Sequence, residues 1–147
     1  MSLNRIFDIA GSGMSAQSVR LNTTASNIAN ADTASSSTDE VYRARKPVFA
    51  AIAQAQMAGD LFSTSLTDDP ASAGVEIKGI VESQAELEMR YQPDHPMANE
   101  QGYVIYPNVN VVEEMADMMS ASRSFQTNVQ ILDTAKIMMQ RALTLGQ

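Results

Sequence analysis

The sequence predicts an α+β protein: an antiparallel pair of long N- and C-terminal helices, coiled-coil-like, with a small β-rich module inserted between them. Three observations carry this. Apolar residues recur at spacings of three and four near both ends of the chain. The stretch between them alternates over short runs and is broken by Pro, Gly, Asp and Ser clusters. The apolar share is 44%, yet aromatics make up only 5% and Met accounts for ten residues, a mix suited to adaptable helix contacts rather than to a large aromatic-rich pocket. At 147 residues, the length suits one domain with appendages.

The first unit spans residues 1–31 and reads as a helix from about Leu3 to Ala31. Leu3, Phe7, Ala10, Met14, Gln17, Leu21, Thr24, Ile28 and Ala31 fall on one seam, strong only at Phe7, Met14, Leu21 and Ile28. Gly11 and Gly13 each cost about 1 kcal/mol against Ala in a helix interior, so this helix is marginal alone. GSG lacks the strand–turn–helix setting and the Lys of a phosphate loop, so these glycines read as places where another backbone comes close. The stretch SNIANADT ends the helix, with Asn30 as the terminator. Arg20, Thr23, Thr24, Asn27 and Asn30 form a polar strip beside the apolar one.

The middle unit, residues 32–107, begins with a Ser/Thr/Asp-rich loop to Glu40, expected to be mobile. VYRARKPVFAAI alternates, then meets Pro47, which predicts a short strand, an edge position, and a second strand or short helix. FSTSL, residues 62–66, alternates, and TDDPASAG is a turn. In VEIKGIVES, Ile80 and Val81 fall out of phase with Val75, Ile77 and Gly79, as at a bulge. Tyr103–Tyr106 is the clearest short strand after that. The module holds three to five strands over a thin core.

The last unit, residues 108–147, gives the stronger helical signal. Pro107 stops what precedes it, Asn110 is placed to cap, and Glu113 follows three residues on, as in a capping box. Val111, Met115, Met118, Ser122, Phe125, Val129, Leu132, Met139 and Leu143 share a seam that Lys136 interrupts. Large apolar residues also lie off both seams: Ile6 and Ile9 in the first helix, Val112, Met119, Ile131, Ile137 and Met138 in the second. Two helices cannot cover faces on all sides, and the middle module is too small to shield them, so assembly with other chains is expected.

Charge and chemistry exclude several classes. The net charge is −7 and falls in the middle unit, both ends being near neutral. No basic face exists for nucleic acid, and no basic amphipathic helix for a membrane surface. No run of residues is apolar enough to cross a bilayer, and Arg5 and Asp8 interrupt any signal-like N-terminal core, so a cleaved leader is not expected. There is no Cys, hence no disulfide, thiolate metal site or cysteine nucleophile. His95 lies alone in PDHP, and Asp68–Asp69 precede Pro70 in a turn. Glu82, Glu86 and Glu88 with Arg90 read as a solvated charged run. Ser120, Ser122 and Ser124 have no His within reach. No catalytic constellation, cofactor site or metal site is expected.

Three blocks then carry a resemblance: GSGMSAQSVRLNTTASNIANADT, VYRARKPVF, and YPNVNVVEEMADMMSASRSFQTNVQILDTAKIMMQRALTLG. In order and content they are similar to bacterial flagellar axial proteins, and among these to the proximal-rod proteins. SNIAN is common to rod, hook and hook-associated members, and the last block is the most specific. The resemblance implies a torque-transmitting structural subunit in a rod that crosses the periplasm. It implies export without a cleaved signal through the flagellar type III apparatus. Its partners would be its own copies and other rod proteins, including the rod-to-ring adapter, with no nucleic acid and no membrane insertion. The residues expected to carry assembly are Phe7, Met14, Leu21, Asn27, Ile28, Asn30, Met115, Met118, Phe125, Val129, Leu132, Met139 and Leu143. Asn27 and Asn30 are expected to act as a joint between subunits. Two alternatives stand beside this: a soluble scaffolding or regulatory helical hairpin that is not exported, and an enzyme acting on cell wall through acidic pairs such as Asp68/Asp69 or Glu86/Glu88.

Overall fold

The computed structural model describes residues 3–52 and 74–145. Its elements run α1 (Leu3–Ala29), β1 (Arg45–Ala51), β2 (Val75–Glu82), β3 (Glu88–Tyr91), β4 (Tyr103–Tyr106) and α2 (Val111–Leu145). The fold is α+β, with two long terminal helices bracketing a small antiparallel β module. FSTSL, most of the turn after it, and Asp68–Asp69 lie outside the described residues.

The helices are antiparallel. Arg20 meets Asp117, Gly13 faces Asn128, and Ile6 lies beside Ile131 and Ala135, so α2 climbs as α1 descends. The contact line is rotated round each helix relative to the seam of large residues. On α2 the buried positions are Glu114, Ala121 and Ala135; on α1 they are Ala10, Ala16, Thr23, Thr24 and Asn27. Small side chains let the axes approach closely, and the larger ones then flank the contact instead of filling it. A Cβ on Gly13 would come within 2.9 Å of the Asn128 amide nitrogen, so this glycine does mark a close approach, to a side chain. Gly11 does not, because nothing lies within 4 Å of where its Cβ would be.

α1 ends as its sequence demands, by a different device. The Asn30 side chain donates to the Ser26 carbonyl at 2.8 Å, a second bond to a carbonyl that already accepts from the Asn30 amide at 3.2 Å, so the side chain turns back on the last turn. Among the described residues no non-glycine has positive φ, so Asn30 is not a left-handed cap. At the other helix the Asn110 side chain accepts from the amides of Val112 (3.1 Å) and Glu113 (3.4 Å), an N-cap as the sequence predicts.

The β module consists of two two-stranded antiparallel sheets among the described residues. β1 is one continuous strand through Pro47, not two pieces. A two-stranded sheet leaves every strand an open edge, so the missing proline amide can face outward. The register shifts where Val48 pairs with Gly79 but Phe49 pairs with Ile77, which places the bulge at Lys78, just before the out-of-phase pair. β3 pairs with β4, a partner that the charged run Glu88–Tyr91 hides from pattern reading. The loop after α1 is also more than a connector: Ser35 bridges Ile105 with two backbone hydrogen bonds of 3.0 Å, on the other side of β4 from β3. β4 is the best-buried strand, with Val104 fully enclosed and Ile105 nearly so.

Candidate functional site

Two features of this fold can bear function: a junction where four segments meet, and the uncovered face of α2.

The junction is built on residues 44 and 45. Asn27, only 1% exposed, accepts from the Arg45 amide at 2.9 Å and donates to the Arg45 carbonyl at 2.8 Å. A side-chain amide carries the same donor and acceptor as a peptide group, so Asn27 occupies the edge of β1 as a one-residue strand would. The Tyr42 hydroxyl donates to the same Asn27 oxygen at 2.8 Å. One residue earlier, the Asn108 side chain accepts from the Ala44 amide at 2.9 Å and donates to the Ala85 carbonyl at 3.0 Å. The Ser83 amide donates to the Ala44 carbonyl at 2.8 Å. The end of α1, the start of β1, the exit from β2 and the approach to α2 are thus pinned together by two asparagines.

Charges close around this point. Arg45 pairs with Glu82 at 3.0 Å and lies 5.4 Å from the centre of the Tyr42 ring. Arg20 donates to Asp117 at 2.6 Å, tying α1 to α2. A cavity of about 300 Å³ beside them is lined by Arg20, Thr24, Arg45, Lys46, Glu114 and Asp117, among others. Burial pushes the Tyr42 phenol above its ordinary range, opposed by the Arg45 charge and reinforced by Glu114 and Glu82. In the β3–β4 hairpin, Arg90 bonds Glu88 and holds its carboxyl below the usual carboxylate range. Both side chains are about half exposed, so this is a solvated surface pair.

The structure places the two asparagines differently. Thr23, Thr24 and Asn27 are buried inside this chain and Arg20 is engaged by Asp117, whereas Asn30 is half-buried and its side chain bonds only the Ser26 carbonyl of its own helix. The physical reason is the start of β1, whose backbone groups on that edge have no neighbouring strand and must find partners. Asn108 carries equal weight and was missed. Its only sequence signal is the YPNVN motif, in which Asn110 draws attention as the evident cap.

The remaining expected interface residues divide. Phe7, Met14, Leu21 and Ile28 on α1 and Met118, Phe125, Leu132 and Met139 on α2 are half-buried along the flanks of the hairpin. Met115, Val129 and Leu143 are exposed. The residues lying off both seams are mostly bare: Val112 is 76% exposed, Met119 60%, Met138 59%, Ile137 49% and Ile131 42%. His95 sits in the loop between β3 and β4, where its Nδ1 accepts from the Met97 amide at 3.1 Å. Among the described residues no group of three or more His, Cys, Asp or Glu could hold a metal, and no helix is long and apolar enough to cross a membrane.

Comparison with known proteins places this architecture in a class. Residues 7–34 match the family described as flagella basal body rod protein, and residues 100–145 match the C-terminal family of the flagellar basal body rod FlgEFG proteins. Both matched segments reach the junction or lead into it. Over the full length of both chains, the protein is 46% identical across 147 residues to the flagellar basal-body rod protein FlgC of Escherichia coli O6:H1 and of Salmonella typhimurium strain LT2. The FlgC of Borreliella burgdorferi is 32% identical over 151 residues, covering all of this chain and 99% of the relative. The chain belongs to the FlgC family of flagellar basal-body rod proteins. It is a structural rod protein of the basal body.

Proposed function

We propose that this chain builds the rod by burying the outward face of α2 and the flanks of the hairpin against neighbouring rod subunits. The observation that carries the reading is the exposure of Val112, Met115, Met119, Ile137 and Met138 on a helix whose other side already packs on α1. Among the described residues no β-strand packs on α2, and an exposed apolar stripe of this kind marks an interaction surface. Methionines adapt their shape to non-identical neighbours, which suits a rod made of several related proteins.

On this reading residues 1–31 and 108–147 are the assembly helices and residues 32–107 the outer module. The partners are copies of the chain and other rod proteins, including the adapter that joins rod to ring. Export proceeds through the flagellar type III apparatus in an unfolded form. A helix pair held mainly by alanines and polar ties is cheap to open and orders fully only in the lattice, where new contacts offset the entropy of ordering. Torque transmission then needs no catalytic group.

The test is Met119→Asp. Met119 is 60% exposed in the free chain, so its melting should shift by no more than about 0.5 kcal/mol equivalent, as for an ordinary surface change. Incorporation into basal bodies, followed by immunoblot of purified basal bodies and by swimming assay, should collapse. Normal incorporation of the variant would overturn the reading.

A further inference from the structure

The cavity of about 300 Å³ between α1, α2 and β1 is lined by two buried polar side chains that have no partner in this chain. Glu114, on the first turns of α2, is 5% exposed, and Thr24, on α1, is 4% exposed. Among the described residues the Glu114 carboxylate makes no ion pair, and neither side chain makes a hydrogen bond. Buried polar groups are ordinarily bonded, and an unpaired buried carboxylate is the costliest exception. Gln17 Oε1 is the one described side-chain atom that is both unpartnered and sealed off. The oxygens of Glu114 and Thr24 therefore keep a little accessible surface, and the cavity they line is where it lies.

The cations of the cavity wall are engaged or turned away. Arg20 bonds Asp117 at 2.6 Å, and Arg45 bonds Glu82 through Nε at 3.2 Å and Nη2 at 3.0 Å. Lys46 follows Arg45 along β1, and successive side chains of a strand point to opposite faces. Lys46 is thus directed away from the face that carries Arg45, Pro47 and Phe49. Pro47 and Phe49 add an apolar wall, with the Phe49 ring 38% exposed.

A carboxylate, a hydroxyl and an aromatic ring around one small cavity are the partners that a guanidinium takes. That group is planar and weakly hydrated, gives two parallel hydrogen bonds to a carboxylate, keeps further donors for a hydroxyl, and stacks on an aromatic face. An ammonium answers the carboxylate only as a point charge. We propose that the cavity receives an arginine side chain of the adjacent rod subunit, whose guanidinium pairs with Glu114, donates to Thr24 and lies against Phe49. In the free chain the unpaired carboxylate weakens the junction of α1, α2 and β1. On assembly the packed neighbour excludes water, and the charge-assisted bonds gain strength in the low dielectric. On a helix of 3.6 residues per turn, Glu114 lies nearly opposite Val112, so this surface is separate from the outward face of α2. The socket rests on the reading of the chain as an assembling rod subunit and names the chemistry of one contact.

The full-length free chain, titrated with Nα-acetyl-arginine amide and followed by amide chemical shifts, should show saturable changes centred on Thr24, Phe49 and Glu114. The Kd should rise roughly fivefold for Nα-acetyl-lysine amide and roughly tenfold in Glu114→Gln. Glu114→Gln and Thr24→Val keep the shape of each side chain and remove the group that binds. Both should melt no lower than the parent chain, yet enter basal bodies several-fold less well. Changes that do not saturate, an equal response in Glu114→Gln, or a preference for the lysine probe would each overturn the guanidinium site. Lower melting of both variants overturns it in favour of a role inside the chain. Normal incorporation of both variants overturns the socket as an assembly contact and leaves the rod reading, which Met119→Asp tests, intact.

Discussion

Asn27 does for the backbone of Arg45 what a neighbouring strand would otherwise do. Removing it leaves the partly buried amide and carbonyl of Arg45 and the Tyr42 hydroxyl without their partner, so Asn27→Ala should destabilise the free chain by about 2–4 kcal/mol, measured by urea unfolding. Tyr42 adds a pH dependence. Its phenol is held above the ordinary value near 10, so its neutral form is favoured in the folded chain. The stability tied to it is complete below about pH 10 and is lost as pH rises through the raised value. Tyr42→Phe should flatten that alkaline loss. At this scale the sequence was legible in part. SNIAN announces amides at a helix end, but a single chain of letters does not say whose backbone they bond. The answer depends on β1, 18 residues away, having an unpaired edge.

The helices and strands show where pattern reading succeeds and where it does not. Both helices were legible from apolar spacing and caps, and β4 from its compact apolar run. β3 was not, because Glu88, Arg90 and Tyr91 lie on an exposed hairpin where no alternation is required. The packing face was not legible either. Spacing selects the large residues, while Ala10, Ala16, Ala121 and Ala135 fix the approach of the axes. Glycines at this scale behave oppositely. Gly11 lies in a helix with open space around it, so Gly11→Ala should stabilise the free chain by about 0.5–1 kcal/mol. Gly74 has φ +144°, and a Cβ there would collide with the Ser12 hydroxyl, which accepts from the Val75 amide at 3.1 Å. Gly74→Ala should therefore destabilise, by about 1–3 kcal/mol, and loosen β2 from α1. Thermal melts of the two variants side by side would show shifts of opposite sign.

The whole molecule is a frame for contacts it does not make alone. Among the described residues the interior holds few large apolar side chains, Val104 being the one apolar residue of the two largest fully buried, and one long face of α2 is exposed. The need for partners was legible from composition and from the apolar residues lying off both seams, whereas the face they occupy required the antiparallel register. Methionine pairs on α2 provide a direct readout of this asymmetry. Met118 and Met139 are half-buried against the hairpin, while their neighbours Met119 and Met138 are 60% and 59% exposed. Sulfoxide formation under dilute peroxide tracks the exposure of the thioether. The decisive measurement is the oxidation rate of each α2 methionine, read by mass spectrometry, in the free chain and in purified rods. Met119 and Met138 should oxidise faster than Met118 and Met139 in the free chain and lose that excess in the rod. Rates for Met119 and Met138 that are unchanged on assembly would contradict the account.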